Sequence, residues 1–149
     1  MATLTTTITE SVTINGALRG SSNTLTVTDI IDTFERVVTC PPSATTTIAT
    51  FSANVYDSAG AIDAENVKYI RVSNLSTTAD VEIGVAGAAS NYSMLIPAGN
   101  SHIIARADNV MLAESDAVPQ YGALADIAKL EIRPTASTNV NVEIFVATI

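Results

Sequence analysis

The chain has 149 residues, with fifteen acidic side chains against seven basic ones and a net charge of −8. A surface of that sign repels nucleic-acid phosphates and anionic lipid, and the bases stand singly (Arg19, Arg36, Lys68, Arg71, Arg106, Lys129, Arg133) with no stripe to follow a phosphate backbone. One cysteine, Cys40, excludes an internal disulfide, and with one histidine it excludes a conventional Cys/His zinc site within a single chain.

The length fits one domain, which buries roughly 68–70% of its unfolded surface and needs no staples. No apolar run approaches the roughly 20 residues of a membrane-spanning helix. The first ten residues carry neither a basic region nor an apolar stretch, so no secretory signal is expected. The N-x-S triplets at Asn74 and Asn91 then read as chance matches. Threonine is common, tryptophan is absent and there are four Tyr and three Phe. Threonine is β-branched and favours strands, while so few aromatics leave few platforms on which bases or sugars could stack.

Alternation of apolar and polar side chains sets the elements. Thr5 to Ile14 alternates, with Ile8, Val12 and Ile14 on one face and Glu10 interrupting it. Asn15-Gly16 marks a turn. Arg19 to Asn23 reads as loop, and Thr24 to Thr28 alternates again. Asp29 to Asp32 could form a single helical turn. Thr33 to Cys40 is a strand with Phe34, Val38 and Cys40 on one face, ended by Pro41-Pro42. Thr45 to Phe51 resumes β-propensity, and Ser52 to Asn66 is expected as a surface loop.

Val67 to Ser73 and Asp80 to Ala86 are strands, the second with Val81, Ile83 and Val85 inward. The short connection between them predicts a hairpin. Tyr92 to Ile96 ends at the turn Pro97-Ala98-Gly99-Asn100. Ser101 to Arg106 and Asn109 to Ala113 are short strands. A second long loop, Glu114 to Asp126, precedes the strand Ile127 to Arg133, with Leu130 and Ile132 inward and Lys129, Glu131 and Arg133 outward. The last strand places Val140, Val142, Ile144 and Val146 on one face. The expected fold is an all-β antiparallel sandwich, jelly-roll-like, of ten or eleven short strands in a single domain, 1–149. Residues 1–14 are expected as a flexible arm or an edge strand.

The polar residues do not suggest a reaction. His102 begins a strand after a turn, where a turn or interface role is expected; a general base needs an orienting partner and usually a nucleophile in reach. Cys40 reads as a small hydrophobe. Asp57, Asp63 and Glu65 surround Gly60 in a loop, but not with the spacing of a calcium-binding EF-hand. They are expected as solvated loop residues, as are Glu114 and Asp116. Gly84 and Gly87 precede no helix that could hold an anion. No catalytic residue, metal ligand or cofactor site is expected.

The stretch from Lys68 to Ile149 carries a recognisable order of pieces: Tyr69-Ile70-Arg71-Val72-Ser73-Asn74, Val81-Glu82-Ile83-Gly84-Val85, Leu95-Ile96-Pro97-Ala98-Gly99 and Asn109-Val110-Met111-Leu112-Ala113. Ala128-Lys129-Leu130-Glu131-Ile132 and Val140-Asn141-Val142-Glu143-Ile144 follow as a closing hairpin. This order resembles small virion proteins of tailed bacteriophages, of the capsid decoration or cement type. The resemblance marks fold positions only, so no functional residue carries over. It implies a non-enzymatic protein of the virion, assembled in the host cytoplasm. Its partners would be the major capsid protein or another virion protein and further copies of itself, a trimer being favoured, with neither nucleic acid nor membrane among them. The competing expectation is a carbohydrate- or receptor-binding module of a tail or fibre. Leu4, Ile8, Tyr56, Tyr92, His102 and Tyr121 are the candidate interface residues.

Overall fold

The structure, a computed structural model, describes residues 2–54, 60–87, 91–105 and 127–149. The expected strand Asn109 to Ala113, the loop Glu114 to Asp126 with Tyr121, and Tyr56 and Asp57 lie outside the described residues.

Among the described residues thirteen strands, against the ten or eleven expected, run in chain order: β1 (Ala2–Thr9), β2 (Val12–Ile14), β3 (Ala17–Arg19), β4 (Ser22–Ile30), β5 (Asp32–Cys40), β6 (Thr46–Ser52), β7 (Ile62–Asp63), β8 (Val67–Asn74), β9 (Val81–Gly87), β10 (Asn91–Ile96), β11 (Ser101–Ala105), β12 (Ile127–Pro134) and β13 (Val140–Thr148). One 3-10 turn, Ala64–Asn66, separates β7 from β8. The Asp63 carboxylate caps it, accepting from the Glu65 amide at 3.1 Å and the Asn66 side chain at 2.8 Å.

Two sheets face each other across one core. The first is five-stranded in the order β10-β9-β12-β6-β7, and the second four-stranded in the order β11-β8-β13-β5. Pairing is antiparallel except between β6 and β7. The inward residues are those the alternation predicts. Val81, Ile83, Leu130, Ile132, Val142, Ile144 and Val146 are each fully buried, and Val85 and Val140 nearly so. Lys129 and Glu131 point outward and form an ion pair at 2.6 Å.

Two pairings differ from expectation. β8 and β9 are not a hairpin: β8 lies in the four-stranded sheet and β9 in the five-stranded one. The connection crosses between layers because Asn74, 1% exposed, turns its side chain into it. Its Nδ2 donates to the Ala79 carbonyl at 2.8 Å and to the Ile96 carbonyl at 3.1 Å, and its Oδ1 accepts from the Ser76 amide at 3.0 Å. β12 and β13 are likewise no closing hairpin, since they too belong to opposite sheets.

The third difference lies at Asp29 to Asp32, which forms no helical turn. Asp29 is left-handed (φ 64) and the β1–β4 register slips there, so the segment is a β-bulge followed by a break at Ile31. The extra residue lets Val27 and Ile30, three positions apart, both bury against the same surface.

Candidate functional site

The N-terminal strands belong to neither layer. β1 pairs with β4 and β2 with β3, and one register runs through both pairs: Leu4 opposes Val27, Thr9 opposes Ser22, Val12 opposes Arg19 and Ile14 opposes Ala17. Residues 2–30 are thus one long two-stranded ribbon closed by Asn15-Gly16. Both turn residues have positive φ (51 and 76), the geometry whose twist matches the strands it joins. The segment expected as an arm is one side of this ribbon, and the stretch expected as a loop, Arg19 to Asn23, is largely its return strand.

The ribbon narrows at Gly20. With φ +132, a Cβ at this position would sit 2.1 Å from the Glu10 carbonyl oxygen and 2.6 Å from its carbon, both backbone atoms. Gly20→Ala therefore forces the two strands apart at a cost of about 1–3 kcal/mol. The expected result is amide exchange at least about tenfold faster over residues 12–19, with the sandwich amides unchanged.

Alternation gives the ribbon two unlike faces. Thr5, Thr7 and Thr9 oppose Thr26, Thr24 and Ser22, so one face is a double row of hydroxyls. They bond across the strands, Thr7 to Thr24 at 3.2 Å and Thr9 to Ser22 at 3.1 Å. The other face carries Leu4, Thr6, Ile8, Glu10, Val12 and Ile14, with Val27, Leu25, Asn23, Arg19 and Ala17 among the residues across from them. At its base this face packs on the outer side of the four-stranded sheet, where Val27 and Ile30 bury with Tyr69 and Ala147, and Leu4, Leu25, Ile103, Phe145 and Ile149 close around them. Tyr69 and Phe145 meet edge to face at 6.1 Å.

Beyond the base, nothing among the described residues covers the ribbon. Every residue from Thr7 to Thr24 is exposed, including Ile8 at 51%, Val12 at 51% and Ile14 at 55%. Leu18, on the hydroxyl side opposite Thr13, is 73% exposed. An isolated two-stranded hairpin is marginally stable in water at best. A groove of about 290 Å³ opens where the ribbon lifts off the sheet, lined by Thr6, Ile8, Leu25, Tyr69, Ile103 and Ala105 among others.

A second cluster sits at the rim of the sandwich. Tyr92 on β10 and His102 on β11 belong to opposite sheets, yet the Tyr92 hydroxyl lies 3.4 Å from His102 Nε2 and the rings meet edge to face at 6.4 Å. The pair closes the gap between the two edge strands. Burial lowers the His102 pKa and raises that of Tyr92. Because the folded His102 binds a proton less readily than the unfolded one, its contribution to stability is complete above the ordinary histidine value of about 6.5 and declines as pH falls through it. Melting temperature is therefore expected to fall between pH 7.5 and 5.5, and His102→Gln to flatten that slope in thermal scans.

Ser101 and His102 are neighbours in sequence but lie on opposite faces of β11. Ser101 bonds Ser73 at 2.7 Å, and Ser73 in turn accepts from Arg71, which also pairs with Glu143 at 2.8 Å. These groups tie β8, β11 and β13 together on the outer side. Cys40 is fully buried and its thiol pKa is pushed up by desolvation, as a packing residue requires. Among the described residues no three His, Cys, Asp or Glu side chains converge as a metal site.

Of the candidate interface residues, Leu4 and Ile8 share the apolar ribbon face, and Tyr92 and His102 form the rim contact. His102 points to the side of β11 away from the ribbon. Tyr56 and Tyr121 lie outside the described residues. Val12 and Ile14 extend the ribbon face, and Tyr69 and Phe145 form its seat; none of the four was among the candidates. The signal for the first two was their shared parity with Ile8.

The fold and the ribbon together define an all-β sandwich that carries a projecting, two-faced β-ribbon. Comparison of the chain with models of protein families, with curated proteins and with solved structures finds no match.

Proposed function

We propose that this chain is a non-enzymatic structural protein of a virion, a capsid decoration (cement) protein that binds and stabilises an assembled phage head in many copies. The observation that carries an assembly role is the ribbon: a hairpin exposed from Thr7 to Thr24, with a largely apolar face, has no covering neighbour among the described residues. Such a face marks an interaction site. The particle itself is suggested by the pattern that residues 68–149 share with tailed-phage virion proteins.

Strand order supports the reading. Counting the eight long strands from β5 and leaving out the two-residue β7, the four-stranded sheet holds the first, eighth, third and sixth, and the other sheet the second, seventh, fourth and fifth. That order supports a jelly-roll reading, an architecture used by viral capsid proteins and also by lectins and cupins; fold alone does not choose among them. A symmetric shell presents many identical sites, so modest contacts per copy add through multivalency. The partner is the major capsid protein in its assembled form, and the chain itself is a homo-oligomer, with a trimer matching a three-fold position.

Co-sedimentation tests this. The protein is expected to pellet with empty assembled shells and to remain in the supernatant with monomeric capsid protein. Equal binding to both forms, or to neither, overturns the proposal.

A further inference from the structure

We propose that the apolar face of the ribbon, Ile8, Val12 and Ile14, is the surface through which copies of this chain hold one another. The ribbons pack face to face and leave their hydroxyl faces in water. This deepens the assembly reading above by naming the contact between copies, and it is measured without any shell.

Two observations select a second copy as the occupant. The first is charge. Residues 2–28 contain one acid, Glu10, and one base, Arg19, so the ribbon is neutral while the whole chain carries −8. Copies meeting through their sandwiches would set acids against acids. Copies meeting through their ribbons bring together a segment of no net charge, and like-charge repulsion there is small. Both charges lie on this face, Glu10 between Ile8 and Val12 by alternation and Arg19 opposite Val12, so a second copy offers each a partner of opposite sign.

The second is continuity. The base of this face is already part of an interface, with Val27 and Ile30 buried against Tyr69 and Ala147 of the chain's own sheet. Ile8, Val12 and Ile14 prolong the same row by alternation, interrupted by Glu10, and each is more than half exposed. A second ribbon laid on this row supplies the missing layer. Ribbons of neighbouring copies turned toward one another through this row close an apolar seam and relieve the instability of a lone hairpin.

Sedimentation velocity of the full chain over a range of concentrations tests the proposal. The wild type is expected to associate. Ile14→Asp and Ile8→Asp, which put a carboxylate into the seam, are expected to shift it to monomer, weakening association at least about tenfold. Thr7→Asp, on the hydroxyl face, is expected to leave association intact, and circular dichroism with thermal melting checks that each sandwich remains folded. As a second measurement, Ile14→Cys is expected to give an inter-chain disulfide on mild oxidation where Thr7→Cys does not. A wild type monomeric at every concentration overturns the proposal, as does an oligomer that Ile14→Asp leaves unchanged or that Thr7→Asp dissolves equally. A monomeric chain whose pelleting with shells is lost on Ile14→Asp also overturns it, and gives this face to the shell while the decoration role stands.

Discussion

Asn74→Ala is expected to destabilise the sandwich by about 3 kcal/mol. The side chain is 1% exposed and makes three hydrogen bonds, to the carbonyls of Ala79 and Ile96 and from the amide of Ser76. Its own backbone amide donates to Asn100 at 2.9 Å, and the next amide, Leu75, to Asn141 at 3.0 Å. Asn74 therefore ties together the ends of β8, β10 and β13 and the crossing to β9. Alanine keeps the backbone bonds and strands two carbonyls and one amide, each costing about 1–3 kcal/mol where water cannot reach. For a chain of this size, 3 kcal/mol lowers the melting temperature by roughly 6–12 °C. Asn74→Asp is the sharper test. An ionised carboxylate would face the two carbonyls, so the loss at pH 7 should at least equal that of alanine. Those carbonyls favour the protonated acid and raise its folded pKa above the unfolded value, so stability should return as pH falls. Thermal melts at pH 7 and pH 5 read both effects.

Ile144→Ala should cost about 3–4 kcal/mol. Ile144 lies in the middle of β13, with β5 on one side and β8 on the other, opposite Arg36 and Val72. It has no exposed surface. The strands around it are paired on both sides and cannot move in, so a cavity remains and its cost adds to the lost transfer energy. Ile144→Val, which removes one methylene, should cost about 0.5–1.5 kcal/mol. Urea unfolding with an unchanged denaturant slope would attribute the difference to the folded state. The same substitution at Ile14, on the exposed ribbon, should leave sandwich unfolding nearly unchanged. That contrast separates the residues that hold the fold from those that serve contacts outside it.

Much of the core was legible because alternation reports which way a side chain points. Val140, Val142, Ile144 and Val146 read as one face and are buried together. Leu130 and Ile132 did the same against outward Lys129 and Glu131. Alternation does not report which strands are neighbours. The short link from Asn74 to Ala79 reads as a hairpin by length, yet it crosses between sheets because the Asn74 side chain supplies hydrogen bonds that a spacing rule does not contain. The ribbon was half legible. Asn15-Gly16 announced its turn and Ile8, Val12 and Ile14 announced a face, but the Gly-Ser-Ser run at 20–22 has the composition of a loop. Pairing overrode that composition, because the turn fixes a register in which Ser22 must oppose Thr9. The contact between Tyr92 and His102 was not legible as a contact. The two belong to separate sheets, and only the closure of the sandwich at its rim brings them to 3.4 Å.

We propose that this molecule works by taking its place in an ordered assembly and not by transforming a ligand. Quantitative mass spectrometry of purified particles of the phage proposed to carry the chain decides this. A fixed, high ratio of this protein to the major capsid protein is expected, unchanged when particles are purified further. Particles free of it, or a handful of copies that fall away with each purification step, would overturn the proposal.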